Sequence, residues 1–159
     1  MTILGLIFGL FAFGLVGNYE IVSNSMSPTL QKGDRVLVDQ RERGDHVEVG
    51  DIIAFADVER SGELLTKRVA ARQGQSVAVV RNYLVIDGRP WAPPGQAPAP
   101  LPRDVGLHAL KLSQDQLYVL GDNRGLSEDS LYFGPVPSNN VRGRLLFKYW
   151  PLGRIGWIR

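Results

Sequence analysis

Hydrophobic and polar positions divide this chain into two regimes. Thr2 to Gly17 carry no charge and read Ile3-Leu4-Gly5-Leu6-Ile7-Phe8-Gly9-Leu10-Phe11-Ala12-Phe13-Gly14-Leu15-Val16. As a helix, such a stretch reaches about 24 Å against a hydrocarbon core of about 30 Å, a short span with Asn18 and Tyr19 at the interface. The expectation is one N-terminal apolar transmembrane helix, a membrane anchor over residues 1–17. A cleaved signal peptide would use the small residues of Ala12-Phe13-Gly14 but lacks a basic leader beyond the N-terminal amine. A soluble helix apolar on every face would need complete burial. The Gly5 and Gly9 spacing is common in such segments and is background.

Beyond Asn18 the period shortens to two. Arg35-Val36-Leu37-Val38 and Asp51-Ile52-Ile53-Ala54-Phe55 follow Gly33-Asp34 and Gly50-Asp51, where turns are expected. Ser76 to Val80 and Tyr83 to Ile86 read as a hairpin, with Asp87-Gly88 as the next turn. No amphipathic helical stretch of convincing length follows. The pattern predicts a mainly β domain over residues 18–159, built from antiparallel strands. Pro90, Pro93, Pro94, Pro98, Pro100 and Pro102 block helix and central strand alike. They mark a Pro-rich insertion around residues 78–112, read as a small cap.

Length and composition narrow the function classes. With 159 residues, 44% of them hydrophobic, the chain can bury a real core. A formal charge of +2 gives no basic stripe, and no nucleic-acid partner is expected. The absence of cysteine excludes disulfides, thiolate nucleophiles and Cys-based zinc sites. His46 and His108 lack a second histidine at ligand spacing and read as surface residues, so neither a metal nor any other cofactor is expected. From Val141 onward five basic residues and no acidic one interleave with Tyr149, Trp150 and Trp157. That tail fits either a lipid headgroup edge or a final core strand with solvated charges.

Ser25 and Lys67 carry the candidate chemistry. A serine hydroxyl needs a base, and without a histidine motif the base must be a lysine in its neutral form. At a reference pKa of about 10.4 only about one lysine in 2,500 is neutral at pH 7, so a shift of about 3 units is required, which burial can supply. Leu64, Leu65, Val69 and Ala70 around Lys67 offer an apolar strand for that burial. Taken alone, a strand lysine is more often an edge residue with its ammonium in water, and a Ser-Pro segment more often a turn.

Four segments in order settle the reading. Ser23-Asn24-Ser25-Met26-Ser27-Pro28-Thr29-Leu30, then Gly33-Asp34, then Lys67-Arg68-Val69, then Gly121-Asp122-Asn123-Arg124 with Ser127 and Asp129-Ser130, resemble the ordered boxes of type I signal peptidases. The resemblance runs from about Tyr19 to the end of the chain. It implies a signal-peptidase-like β fold and a membrane-anchored serine endopeptidase that removes signal peptides from secreted precursors, cleaving after small residues on the extracytoplasmic face of the cell membrane. It implies Ser25 as nucleophile, Lys67 as general base, and an oxyanion site formed by the Ser25 N–H and the Ser23 hydroxyl, each donor worth about 3 kcal/mol. Ser127 would orient the lysine. Arg68 and Asp122 would form an ion pair, and Asn123, Arg124, Asp129 and Ser130 would hold the turn. Tyr19, Ile21, Val22, Met26 and Leu65 would contact an extended substrate.

Three positions depart from the family pattern. Val22 stands where a proline is common before the first serine, Gln73-Gly74-Gln75 where a Pro-Gly-Asp turn is usual, and Leu131 where an arginine usually partners the aspartate. Asp129 is thereby left to pair with Arg124 or to face water. These departures leave room for a specialised maturation protease with a narrow substrate. A self-cleaving repressor-type peptidase would need a DNA-reading domain ahead of Ser25, and an inactive anchored β interaction module would be indifferent to loss of Ser25.

Overall fold

The computed structural model describes residues 14–57, 63–101 and 109–159. The apolar segment up to residue 13, and His108, lie outside the described residues. No helix among the described residues is long and apolar enough to cross a membrane. Val16 and Gly17, inside the span expected for the anchor, belong to the first strand. Gly17 lies against the Gln40 side chain there, so a β-carbon at this position would displace it.

Strands β1 (Val16–Glu20), β2 (Arg35–Asp39), β3 (Ile52–Ala56) and β4 (Leu64–Ala71) are followed by β5 (Ser76–Val80), β6 (Tyr83–Ile86), β7 (Arg89–Pro90) and β8 (Leu110–Lys111). Then come β9 (Gln116–Leu120), the one-turn helix α1 (Ser130–Phe133), β10 (Val136–Pro137), β11 (Val141–Trp150) and β12 (Gly156–Trp157). The main sheet runs β1-β2-β11-β3-β4-β9-β10, with β12 beside β11, and every pairing is antiparallel. A second, four-stranded sheet runs β7-β6-β5-β8.

Side-chain alternation distributes the core. On β3, Ile52 and Ala54 join one apolar cluster with Met26, Leu30, Val36, Val38 and Leu145, while Ile53 and Phe55 join another with Val69, Leu117 and Val119. A strand apolar on both faces reads as an unbroken hydrophobic run, as Ile52 to Ala56 does. Tyr118 and Leu120 of β9 point the other way, into a third cluster with Val77, Leu84, Ile86 and Leu101 at the second sheet. The expected hairpin is β5 and β6, closed by Arg81 and Asn82 at φ 50° and 65°, the left-handed pair that matches strand twist. Among its described residues the Pro-rich stretch contributes the short edge strand β7. It is tied back where Leu101 N–H donates to Asn82 O at 2.7 Å and Asn82 Nδ2 donates to Leu101 O at 2.9 Å. Of the two readings of the basic tail, the core strand is present as β11, between β2 and β3 in the main sheet.

Candidate active site

Lys67 occupies β4 opposite Ile53, on the face it shares with Val69 and, across the register, with Phe55. That position buries it to 4% exposure. Burial disfavours the ammonium and pushes its pKa below the ordinary 10.5, against the opposing charges of Asp129 and Glu128. Ser25 lies in a turn that follows β1, anchored at its start where Ile21 N–H donates to Asp34 O and Gly33 N–H donates to Ile21 O. Its side chain reaches Lys67: Nζ and Ser25 Oγ are 2.9 Å apart, and Ser23 Oγ lies 3.1 Å from Ser25 Oγ.

The turn from Gly121 to Asp129 grips the serine segment from the other side. Asn123 N–H donates to Ser25 O at 3.0 Å, and Asn123 Nδ2 donates to Asn24 O at 3.2 Å. Arg68 and Asp122 form a bidentate pair at 2.8 and 2.7 Å, with side chains 2% and 0% exposed. Thr29 Oγ1 donates to the same carboxylate at 2.6 Å, and Arg68 also donates to Gly50 O and Arg159 O. A buried pair of this kind is tolerated because its remaining lone pairs and protons find partners. The tail adds a second clamp. Arg154 donates twice to Asp34 at 3.0 Å and to Pro28 O, while Lys148 donates to Thr29 O.

Asp129 pairs with Arg124 at 2.7 Å, accepts from Gly121 N–H at 3.0 Å, and caps α1 by accepting from Leu131 N–H. Ser130 Oγ accepts from Val119 N–H at 2.9 Å. Ser127 is brought against Gly121, but its buried hydroxyl has no hydrogen-bond partner, Lys67 included.

A cleft of about 290 Å³ opens over Ser25 and Lys67, lined also by Ser23 and Leu65 and by five residues not expected at the site, Asn24, Asp57, Leu126, Glu128 and Phe133. Of the residues expected to contact substrate, Leu65 lines this cleft. Ile21 and Met26 are instead buried in the cluster beneath the serine turn, Tyr19 packs against that cluster, and Val22 is 74% exposed. An apolar residue beside a nucleophile serves the core as readily as a pocket, and nothing in local sequence separates the two. Gly121, part of the 121–130 segment but given no role there, is the position where the turn comes close to Ser25. His46 is exposed, and no cluster of metal-ligating side chains exists among the described residues.

Comparisons with known proteins agree on one family. The family model described as signal peptidase, peptidase S26, matches residues 1–150. The chain is 36% identical over 146 residues to "Probable signal peptidase I-1" of Synechocystis sp., covering 87% of this chain and 73% of that one. It is 32% identical over 157 residues to "Probable thylakoidal processing peptidase 2, chloroplastic" of Arabidopsis thaliana, covering 94% and 42%. It is also 32% identical over 161 residues to "Inactive signal peptidase IA" of Staphylococcus aureus (strain Mu50), covering 96% and 90%. Among solved structures, signal peptidase I from Enterococcus faecalis V583 aligns with 62% of this chain and 96% of that one at TM-score 0.48 and 27% identity. This chain belongs to the signal peptidase family, peptidase S26, and is a serine peptidase.

Proposed function

We propose that this protein removes signal peptides from secreted precursors by a Ser/Lys dyad, cutting after small residues. The observation that carries the reading is the 2.9 Å approach of Lys67 Nζ to Ser25 Oγ within a buried pair. Neutral Lys67 takes the Ser25 proton as Oγ attacks the scissile carbonyl. The Ser25 N–H, which donates to no backbone acceptor among the described residues, and the Ser23 hydroxyl stabilise the oxyanion. The tetrahedral intermediate collapses to an ester on Ser25 as protonated Lys67 returns its proton to the leaving amine. Lys67 then deprotonates a water, which hydrolyses the ester and frees Ser25. Asn123, through the Ser25 carbonyl, and the Arg68–Asp122 pair keep the two reacting atoms in place. Ser127 orients the amine once substrate displaces water from the cleft.

Substrate would lie extended past Val22 and Ser23 into the cleft, where Leu65 and Phe133 offer apolar walls to short side chains. Membrane anchoring through the apolar segment that precedes β1, with the catalytic domain on the extracytoplasmic face, would bring the cleft to the cut site as it leaves the bilayer. Exposed Trp150, Leu152, Ile155 and Trp157, beside Arg154, suit the headgroup zone.

The test uses purified protein in detergent with a precursor bearing Ala-x-Ala before its cut site. Ser25→Ala and Lys67→Ala are each expected to lower cleavage by more than about a thousandfold with the melting temperature preserved or raised. Cleavage at the parental rate by both variants would overturn the dyad.

A further inference from the structure

Phe133, the last residue of α1, brings the one aromatic ring to the cleft that opens over Ser25 and Lys67. We propose that this ring sets the upper size of the substrate side chains that can enter the cleft, which makes Phe133 a specificity-determining residue. The proposal rests on the Ser/Lys reading above and adds to it the group that enforces the limit to short side chains.

The ring is held against the core. Phe55 of β3, 1% exposed, lies 6.5 Å from it between ring centroids, at a tilt of 55°. Tilted aromatic pairs at this separation favour a fixed orientation. Phe55 is paired in register with Leu65 on β4, and the next pair on that face is Ile53 with Lys67. Leu65 is thus about 7 Å along the strand from the proposed base, and it packs with Phe133 on one apolar cluster. The wall that Leu65 and Phe133 build stands directly beside the reacting pair.

The backbone behind the ring is held as firmly. Tyr132 N–H and Phe133 N–H donate to Asp129 O at 2.7 and 3.2 Å, and Gly134 N–H donates to Ser130 O at 3.0 Å. Leu131 N–H donates to the Asp129 carboxylate, and Ser130 Oγ accepts from Val119 N–H of β9. A bulky substrate side chain cannot push Phe133 back without breaking these bonds or disturbing Phe55, because a close-packed interior does not yield smoothly.

Other groups at the cleft do not impose the same limit. Leu126 is 70% exposed, so its side chain is free to turn toward solvent. Leu65 is an aliphatic chain that changes shape by rotamer, whereas the ring of Phe133 is rigid. Asp57 and Glu128 bring carboxylates, which discriminate by charge and not by size.

The experiment measures preference rather than rate. Purified protein in detergent receives two precursors at once, one with Ala and one with Val, Leu or Phe at the residue before the cut; a second set varies the residue two positions earlier. The ratio of the two cleavage rates is the ratio of kcat/KM, which is independent of how much of the enzyme is folded. The parent is expected to prefer Ala over Leu by more than about a hundredfold. Phe133→Ala lowers that preference by at least about tenfold at one of the two positions, Phe133→Leu lowers it less, and Phe133→Trp raises the preference for Ala over Val by about tenfold.

Preferences that stay within about twofold of the parent in Phe133→Ala, at both positions, overturn the proposal. If that variant is too unstable to assay, unchanged preferences in Phe133→Leu and Phe133→Trp overturn it equally. An equal fall in the cleavage of every precursor would show that Phe133 only supports α1, and it too overturns the proposal. Failure of the peptidase reading is a separate result, seen as undiminished cleavage by Ser25→Ala and Lys67→Ala.

Discussion

Gly121 lies so close to Ser127 that a β-carbon on it would collide with the Ser127 side chain and come within 2.6 Å of the Ser25 carbonyl oxygen. The glycine is therefore needed for contact between three backbone segments, with no left-handed turn involved. Gly121→Ala must push apart the Ser25 segment and the turn that faces it. The expected cost is about 1–3 kcal/mol of stability, as for other overpacked interiors, and about a hundredfold in cleavage, because a displacement of about 1 Å is severe at a reacting centre. Urea unfolding and precursor cleavage on the same preparation check both.

Lys67 should cost stability in proportion to its burial. Its folded pKa is below 10.5, so the unfolded chain holds the extra proton between the folded value and 10.5. Stability therefore rises with pH across that window, and below it the penalty is complete. Lys67→Met is expected to be inactive yet more stable than the parent at pH 7 by about 1 kcal/mol. The gain should shrink as pH climbs toward 10.5. Equal stability of the two proteins at pH 7 would contradict the desolvation account.

Ser127 presents the opposite balance. Its hydroxyl is buried without a partner, so Ser127→Ala severs no hydrogen bond of the free protein and is expected to leave stability unchanged or raise it by up to about 1 kcal/mol. If the hydroxyl orients Lys67 when substrate is bound, kcat falls by about ten- to a hundredfold while the melting temperature holds. An unchanged kcat removes Ser127 from the mechanism.

Asp34 links the tail to the serine turn and should do so in a pH-dependent way. Burial alone would raise its pKa, but hydrogen bonds from Arg154 and Gln31 N–H, with the charge of Lys148, hold it below 3.8. Such a group contributes fully above 3.8, and its contribution is lost as pH falls through the folded value. Arg154→Ala is expected to lower stability at pH 7 by about 2 kcal/mol, with the difference from the parent narrowing below about pH 4. A gap that is constant with pH would mean that Arg154 acts by packing alone.

The strands were readable because their signal is local. Ile52 to Ala56 and Ser76 to Val80 carry enough apolar and β-branched residues to announce themselves, and the left-handed turn at Arg81 and Asn82 sits between two clear runs. The lining of the cleft was not readable in the same way. Ile21 and Met26 flank Ser25 in sequence, yet the turn directs them into the core, while Asp57, Leu126 and Glu128 reach the cleft from distant segments. Proximity along the chain says little about which way a turn aims its side chains.

The sequence by itself determined the strand pattern, the Pro-rich insertion, and the ordered set of Ser23, Ser25, Lys67 and the turn from Gly121 to Ser130, because residue type and spacing are properties of the chain. Only the tertiary structure decided that Asp129 takes Arg124 as its partner, that Gly121 is held by close approach, and that Lys67 and Ser25 come within 2.9 Å. The pairing of β4 with β3 and the folding of the 121–129 turn over the serine segment bring together groups dozens of residues apart. Burial then supplies the loss of water that no stretch of sequence can impose on a lysine alone.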